Sequence, residues 1–152
     1  MKSLRLQIRD GIILGLNTGR PAGVPEATAR RYLPGEPIRD PELAVFLLGE
    51  SASPGGGRTG PLTVRELRGA VQARGLAFDS ASPEDAVDEA LRWATQVLFE
   101  LPKPEQLRLL IHGIDEVGTS YEVAQGDQLY VLATLQFSVR YQTSRADLTS
   151  PS

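Results

Sequence analysis

Residues with catalytic potential are few in this chain, and the motif that contains the best of them is incomplete. Gly49 to Ser53 reads GESAS, which begins like the GxSxG nucleophile turn of serine hydrolases, but Ser53 replaces the final glycine. The only histidine, His112, is distant in sequence, so a hydrogen-bonded structural histidine is its simpler interpretation. The sequence therefore predicts a loop serine at this position rather than a hydrolase triad.

A glycine run is the next candidate for ligand binding. Residues 53–60 read SPGGGRTG and resemble a phosphate-binding loop, but no GK[ST] follows and Arg58 stands alone among the glycines. Three consecutive glycines are typical of a mobile surface or interface loop. We predict such a loop over residues 49–61.

Acidic residues occur close together in two places, as acid–base catalysis would require. One is the pair Asp115 and Glu116, and the other is residues 84–89, which read EDAVDE. The second group begins a predicted helix, where negative charge interacts favourably with the helix dipole. With no complete catalytic group, we predict no active site, and the protein is expected not to be an enzyme.

Composition excludes several further classes of site. The chain has no cysteine and one histidine, which excludes disulfides, thiolate metal sites and multi-histidine metal sites. No metal and no cofactor is therefore predicted. A net charge of −3 argues against a domain that grips nucleic acid, because that task needs a basic face. No apolar run approaches the roughly 20 residues of a membrane span, and a cytoplasmic product is expected.

Length and hydrophobicity favour one globular domain. The chain has 152 residues, of which 41% are hydrophobic and 23% charged, as in ordinary compact domains. We predict a single domain over residues 1–152 that ends in a polar tail at 144–152.

The last apolar segment gives the strongest secondary-structure signal. Between Gln128 and Thr143 the odd-numbered positions from Leu129 to Tyr141 are apolar, and the even-numbered positions are mainly polar. Side chains on a strand alternate between its faces, so this pattern predicts a long strand with one buried face. Leu135 and Phe137 are expected to lie buried between this strand and a helix at 82–100.

Two helices are predicted. Leu4, Ile8, Ile12 and Leu16 recur at every fourth residue, which places them on one helical face. The helix at 82–100 has Ser82 as a capping residue, acids in its first turn and prolines beyond its end. Its buried stripe is Val87, Ala90, Leu91, Ala94, Val97 and Leu98.

The remaining segments predict a mainly antiparallel sheet. We expect a short charged edge strand at 27–33 and a central strand at 43–48 covered on both faces. Residues 62–74 fit either helical or strand spacing; a strand is favoured because a glycine-rich connection suits a hairpin. Residues 107–111 are expected to begin the last part of the sheet, with 113–128 a polar approach to the final strand. The predicted fold class is α+β, with the sheet packed against the N-terminal helix and the helix at 82–100.

This order of elements and three passages resemble one known family. The passages are residues 30–51 (RRYLPGEPIRDPELAVFLLGES), the helix at 82–100, and residues 131–148 (VLATLQFSVRYQTSRADL). They are similar to the tail terminator, or tail completion, proteins of long-tailed bacteriophages and prophages, of the lambda minor tail protein U type. The most specific part is the aromatic strand end at Tyr141 that leads into residues 143–145.

The resemblance implies a structural virion protein without catalytic residues. Such proteins form a ring, usually of six subunits, on the head-proximal end of the tail tube. The ring stops tube polymerisation and presents a docking surface to the head-completion or connector proteins. It would be made in the bacterial cytoplasm, and genome DNA would pass through its hole without specific binding.

Position singles out charged residues for subunit contacts, because sheet edges are normally charged, covered or paired, and a tail with few apolar residues needs a neighbour to become ordered. The residues expected at subunit or partner contacts are Arg30, Arg31, Arg58, Arg145 and Asp147. Two other functions stay open at this point. One is a different head–tail connector or head-closure protein, and the other is a small α+β ligand-binding domain unrelated to phages.

Overall fold

A computed structural model describes residues 2–30, 41–54, 62–76, 83–125 and 129–144. The predicted cap Ser82, the tip of the glycine run and the tail beyond Ser144 lie outside these residues.

Three α-helices form one layer of the α+β domain. Helix α1 spans Leu4–Asn17, α2 spans Pro83–Thr95, and α3 is a single turn over Glu105–Arg108. α2 continues into a π-helical turn, Gln96–Glu100, so the predicted helix at 82–100 is confirmed with a change of winding near its end. The indole N–H of Trp93 on α2 donates to the carbonyl oxygen of Leu16 at 2.7 Å, which ties α2 to the end of α1.

Five strands form the other layer. They are β1 (Ala27–Thr28), β2 (Glu42–Pro54), β3 (Leu62–Leu76), β4 (Gly113–Gln125) and β5 (Leu129–Ser144). Their order in the sheet is β1-β2-β3-β5-β4, in which β1 pairs in parallel with β2 and every other pair is antiparallel. The strand interpretation of 62–74 is therefore confirmed, as is its pairing with 43–48.

The helices cover one face of the sheet, called here the inner face. The alternation of β5 places Val131, Ala133, Leu135, Phe137, Val139 and Tyr141 on it, all buried. All four predicted residues of α1 and all six of the helix at 82–100 are buried in the same core. Hydrophobic burial between one sheet face and one helical layer thus organises the domain, as the sequence predicts.

Phe137 lies directly across from Gly69 in the β3–β5 register. The Phe137 ring comes so close to the Gly69 backbone that a side chain at position 69 would collide with it. A Cβ atom added at Gly69 would lie 2.5 Å from Cζ of Phe137. Glycine is needed here because the Phe137 ring lies over the β3 backbone and fills the space of a side chain.

Residues 107–111 do not begin the sheet, as the sequence interpretation expected. Leu107 lies in α3 and is buried against Gly11 of α1, where an added Cβ would come within 3.1 Å of the Leu107 Cβ. Leu107 therefore serves the helical layer, whereas Leu109 of the same segment is 71% exposed. The strand prediction was wrong because a short apolar run carries no period that separates the two structures.

The sheet is also longer than predicted at several points. Residues 113–125 are the strand β4 and not a polar approach, and β2 runs through Gly49 to Pro54, where a loop was predicted. The edge strand expected at 27–33 is confirmed only for Ala27–Thr28. The strand at 43–48 is not covered throughout, since Leu48 is 47% exposed.

The contact between Phe137 and Gly69 predicts a specific steric effect. Gly69→Ala should destabilise the protein by about 1–3 kcal/mol, because the new methyl group overpacks the core against the ring. Gly49→Ala is the matched control, since a Cβ there meets nothing within 4 Å. Urea melts measure both. In a Phe137→Leu background the Gly69→Ala penalty should shrink; an unchanged penalty would show that the ring is not its cause.

Candidate assembly interface

β4 is the last strand of the sheet and leaves one long edge open. It has 13 residues and pairs only with β5 among the described residues. At about 3.3 Å per residue, the strand is roughly 43 Å long. Unpaired N–H and C=O groups along such an edge are able to pair with a strand of another chain.

A β-bulge at Val117 divides β4 into two halves. Glu116 pairs with Phe137 and Gly118 pairs with Gln136, so Val117 is the extra residue between them. After the bulge, Thr119 and the alternate residues that follow return to the inner face. Bulges commonly stand at sheet edges, where they twist a strand and redirect its side chains.

The side chains of β4 expose an unusual amount of apolar surface. Val117 is 47% exposed, Tyr121 64% and Val123 61%. Tyr121 and Val123 lie on the inner face, opposite Ala133 and Val131, yet the helices leave more than half of each residue exposed. Exposed apolar side chains grouped on an open edge are typical of an interaction surface.

A groove runs between α2 and the second half of β4. Its volume is about 480 Å³, and it is lined by Glu84, Asp85, Val87, Asp88, Tyr121, Val123 and Val131. The acidic residues of the first two turns of α2 form one rim, and the apolar residues of the two strands form the floor. The groove lies beside the open edge, so a strand added to β4 would also contact it.

A second bulge, at Leu48, creates a polar cluster at the opposite side of the sheet. Leu47 pairs with Gly69 and Gly49 pairs with Arg68, so Leu48 is the extra residue. Without it, Glu50 would point to the outer face. The bulge turns the Glu50 carboxylate to the inner face, where it meets β5.

The Glu50 carboxylate is satisfied by three donors. The hydroxyl of Tyr141 donates to it, Arg65 Nη1 donates to it at 3.1 Å, and Nη2 of Arg5 lies 3.5 Å away. Arg65 also donates through Nε to the hydroxyl of the buried Thr143 at 3.0 Å. The cluster joins β2, β3, β5 and the start of α1, and it holds the β2–β3 extension in place.

Burial raises the pKa of the Tyr141 phenol well above its usual range, and the hydrogen bond to Glu50 raises it further. An ionised phenolate there would lie in a buried site against a carboxylate. Tyr141 is therefore a hydrogen-bond donor at every pH at which the domain is normally studied.

Of the five predicted contact residues, only Arg30 lies within the described part of the chain. It follows β1, is exposed, and its Nη1 lies 3.4 Å from Oε1 of Glu42 at the start of β2. Arg31, Arg58, Arg145 and Asp147 lie outside the described residues. Arg30 is thus at the β1 edge, on the other side of the sheet from β4.

The candidate nucleophile and base do not meet. Ser51, which stands at the serine position of the motif, lies in β2, and His112 immediately precedes β4. Three strand spacings of about 4.8 Å separate these strands, roughly 14 Å in all, which excludes a hydrogen bond between the two side chains. His112 is exposed, and its backbone N–H donates to the carbonyl oxygen of Arg140 at 2.8 Å.

The acidic residues occupy separate environments. Asp115 pairs with Arg140 at 3.4 Å on the exposed outer face. Glu116 is on the opposite face of β4, so the two adjacent carboxylates do not converge. Within the part of the chain that the structure describes, no group of three or more histidine, cysteine or acidic side chains is placed to hold a metal ion.

Comparison with known proteins finds no family model that matches the chain, and no curated protein that matches it. None of the helices among the described residues is long and apolar enough to cross a membrane.

Sequence reasoning missed the β4 surface, although a signal was present. Thr119, Tyr121 and Val123 alternate with Ser120 and Glu122, and threonine, tyrosine and valine favour strands. The acids and the two glycines in the first half of β4 obscured this pattern. The bulge at Val117 also shifts the two-residue alternation by one position.

The Tyr141 cluster predicts an alkaline loss of stability. The folded-state pKa lies above the unfolded value of about 10, so this stabilisation is complete below pH 10 and is lost as the pH rises further. Tyr141→Phe should cost about 1.5–3 kcal/mol near neutral pH and should weaken the fall in stability above pH 10. Urea melts at pH 8 and pH 11 measure it, with the exposed Tyr121→Phe as control. If the free energy of unfolding of all three proteins depended equally on pH, Tyr141 would not be the cause of the alkaline loss of stability.

Proposed function

We propose that this protein is a tail terminator of a long-tailed bacteriophage or prophage. In this role it assembles as a ring, most simply a hexamer, on the head-proximal end of the tail tube. The ring ends tube polymerisation and offers a docking surface to the head-completion or connector proteins. It works as a structural part of the virion, without catalysis and without a cofactor.

The observation that carries the proposal is a pair of edges, at opposite sides of the sheet, that no other strand among the described residues covers. One is β4, with its exposed Val117, Tyr121 and Val123. The other is β2, which pairs with β1 only at Leu43 and Ala44. A ring requires contact between two different surfaces of the subunit, repeated until it closes. Edges on opposite sides offer two such surfaces.

The outer face of the sheet supports a role around a DNA passage. Several of its polar side chains are paired with each other: Ser138 donates to Glu66 at 2.8 Å, and Gln72 donates to Thr134 at 3.2 Å. The Arg140 guanidinium is paired with Asp115. Opposite charges that neutralise each other hold phosphate weakly, which suits a surface that DNA must slide past.

Substitutions at exposed residues of β4 should affect ring formation without affecting the fold of the subunit. The double variant Tyr121→Asp/Val123→Asp should prevent assembly, because each added carboxylate would be buried without a partner in the subunit contact. Leu109→Asp is the matched control, since Leu109 is 71% exposed and lies outside β4. Native mass spectrometry with tail tubes present measures the oligomer, and urea melts verify the fold. Intact rings in the double variant would place the contact elsewhere.

The function itself is tested by deletion in the phage. Particles without this protein should carry tails of uncontrolled length or tails that do not join heads, as electron microscopy would show. Tails of normal length that fail to join heads would instead favour another connector or head-closure protein. Normal head-joined tails would exclude both and leave a ligand-binding domain.

A further inference from the structure

A small basic pocket lies where the π-helical turn, α3 and the start of β4 meet. Its volume is about 260 Å³. Leu98, Phe99, Ile111 and Ile114 supply apolar walls, while Lys103, Arg108 and His112 supply the polar groups. Among the described residues, those that line the pocket include no acidic side chain.

The Lys103 ammonium is the charged group of the pocket that most lacks compensating partners. It is partly buried, and its Nζ donates to the backbone carbonyl of Leu101 at 3.1 Å. Burial lowers the pKa of Lys103, because the neutral carbonyl compensates only part of the lost hydration. An anion in the pocket would supply the missing compensation.

The neighbouring arginine shows the contrast. Arg140 lies beside the pocket residue Gly113, but its charge is already paired with Asp115 at 3.4 Å. No carboxylate in the described part of the chain pairs with Lys103, Arg108 or His112. The cations of the pocket are therefore available to a ligand, whereas the cation at its rim is not.

We propose that this pocket binds a carboxylate carried on a small apolar body. The cations would bind the carboxylate through charge-assisted hydrogen bonds, and the apolar walls would contact the body. The volume of about 260 Å³ is below the roughly 300 Å³ at which pockets begin to enclose drug-sized ligands, which favours a small apolar body. A group the size of benzoate is small enough for the pocket.

Two sources can present this chemistry, a free small carboxylic acid or the C-terminal carboxylate of a chain that ends in an apolar residue. The proposal concerns the shared group and is independent of ring formation. A short peptide ending in phenylalanine, as the free acid and as the amide, distinguishes the C-terminal source from the free acid.

The test is a titration of the whole protein with benzoate. The amide NMR signals of residues 111–114 report binding. We expect saturable shifts, at least tenfold weaker binding of benzyl alcohol and of acetate, and at least tenfold weaker benzoate binding in Lys103→Met and in Arg108→Gln. Arg92→Gln, an exposed arginine of α2 outside the pocket, should bind like the original protein.

Inorganic phosphate completes the comparison. Phosphate binding as tight as benzoate would overturn the apolar part of the proposal, because charge alone would then account for it. Benzoate shifts that do not saturate, or that persist in both pocket variants, would overturn the site. Each pocket variant removes a different cation. If one of the two variants does not fold, the other still tests the site.

Discussion

Contact between the Phe137 ring and the bare backbone at Gly69 is the constraint on which the domain depends. It joins the two central strands on the face that the helices cover, and a Cβ at Gly69 would occupy the place of the ring. The ring therefore contributes to both layers, as a cross-strand partner and as part of the helical core. Close packing at this point leaves no room for a larger residue at position 69.

The one-sided arrangement explains why the proposed assembly surfaces lie where they do. The helices of the described residues pack on the inner face, and no strand of that part of the chain covers the outer edge of β4 or of β2 beyond β1. The two bulges adapt these strands in different ways. The bulge at Leu48 brings Glu50 into a satisfied polar cluster, whereas the bulge at Val117 returns Tyr121 to the inner face, where it lines the groove beside α2.

Much of this fold was accessible from sequence because its main elements have a clear period. The alternation of β5 and the fourfold spacing of α1 placed Phe137 and Ile12 correctly on buried faces. The failures have local causes. Leu107 belongs to a run too short to show a period, and β4 changes phase at Val117. The candidate interface was missed for the same reason, and the predicted arginine contacts rested on charge and the family resemblance, which do not reveal an apolar edge.

The bulge at Leu48 has a consequence for how this chain tolerates genetic change. A bulge residue is an insertion that the sheet has absorbed, so loss of one codon there would restore a regular ladder and reverse the facing of every residue up to Pro54. Glu50 would then leave Tyr141 and Arg65 behind, buried without their acceptor. Relatives of this protein are thus expected to retain the length of β2 between Leu47 and Glu50 even where its residues diverge.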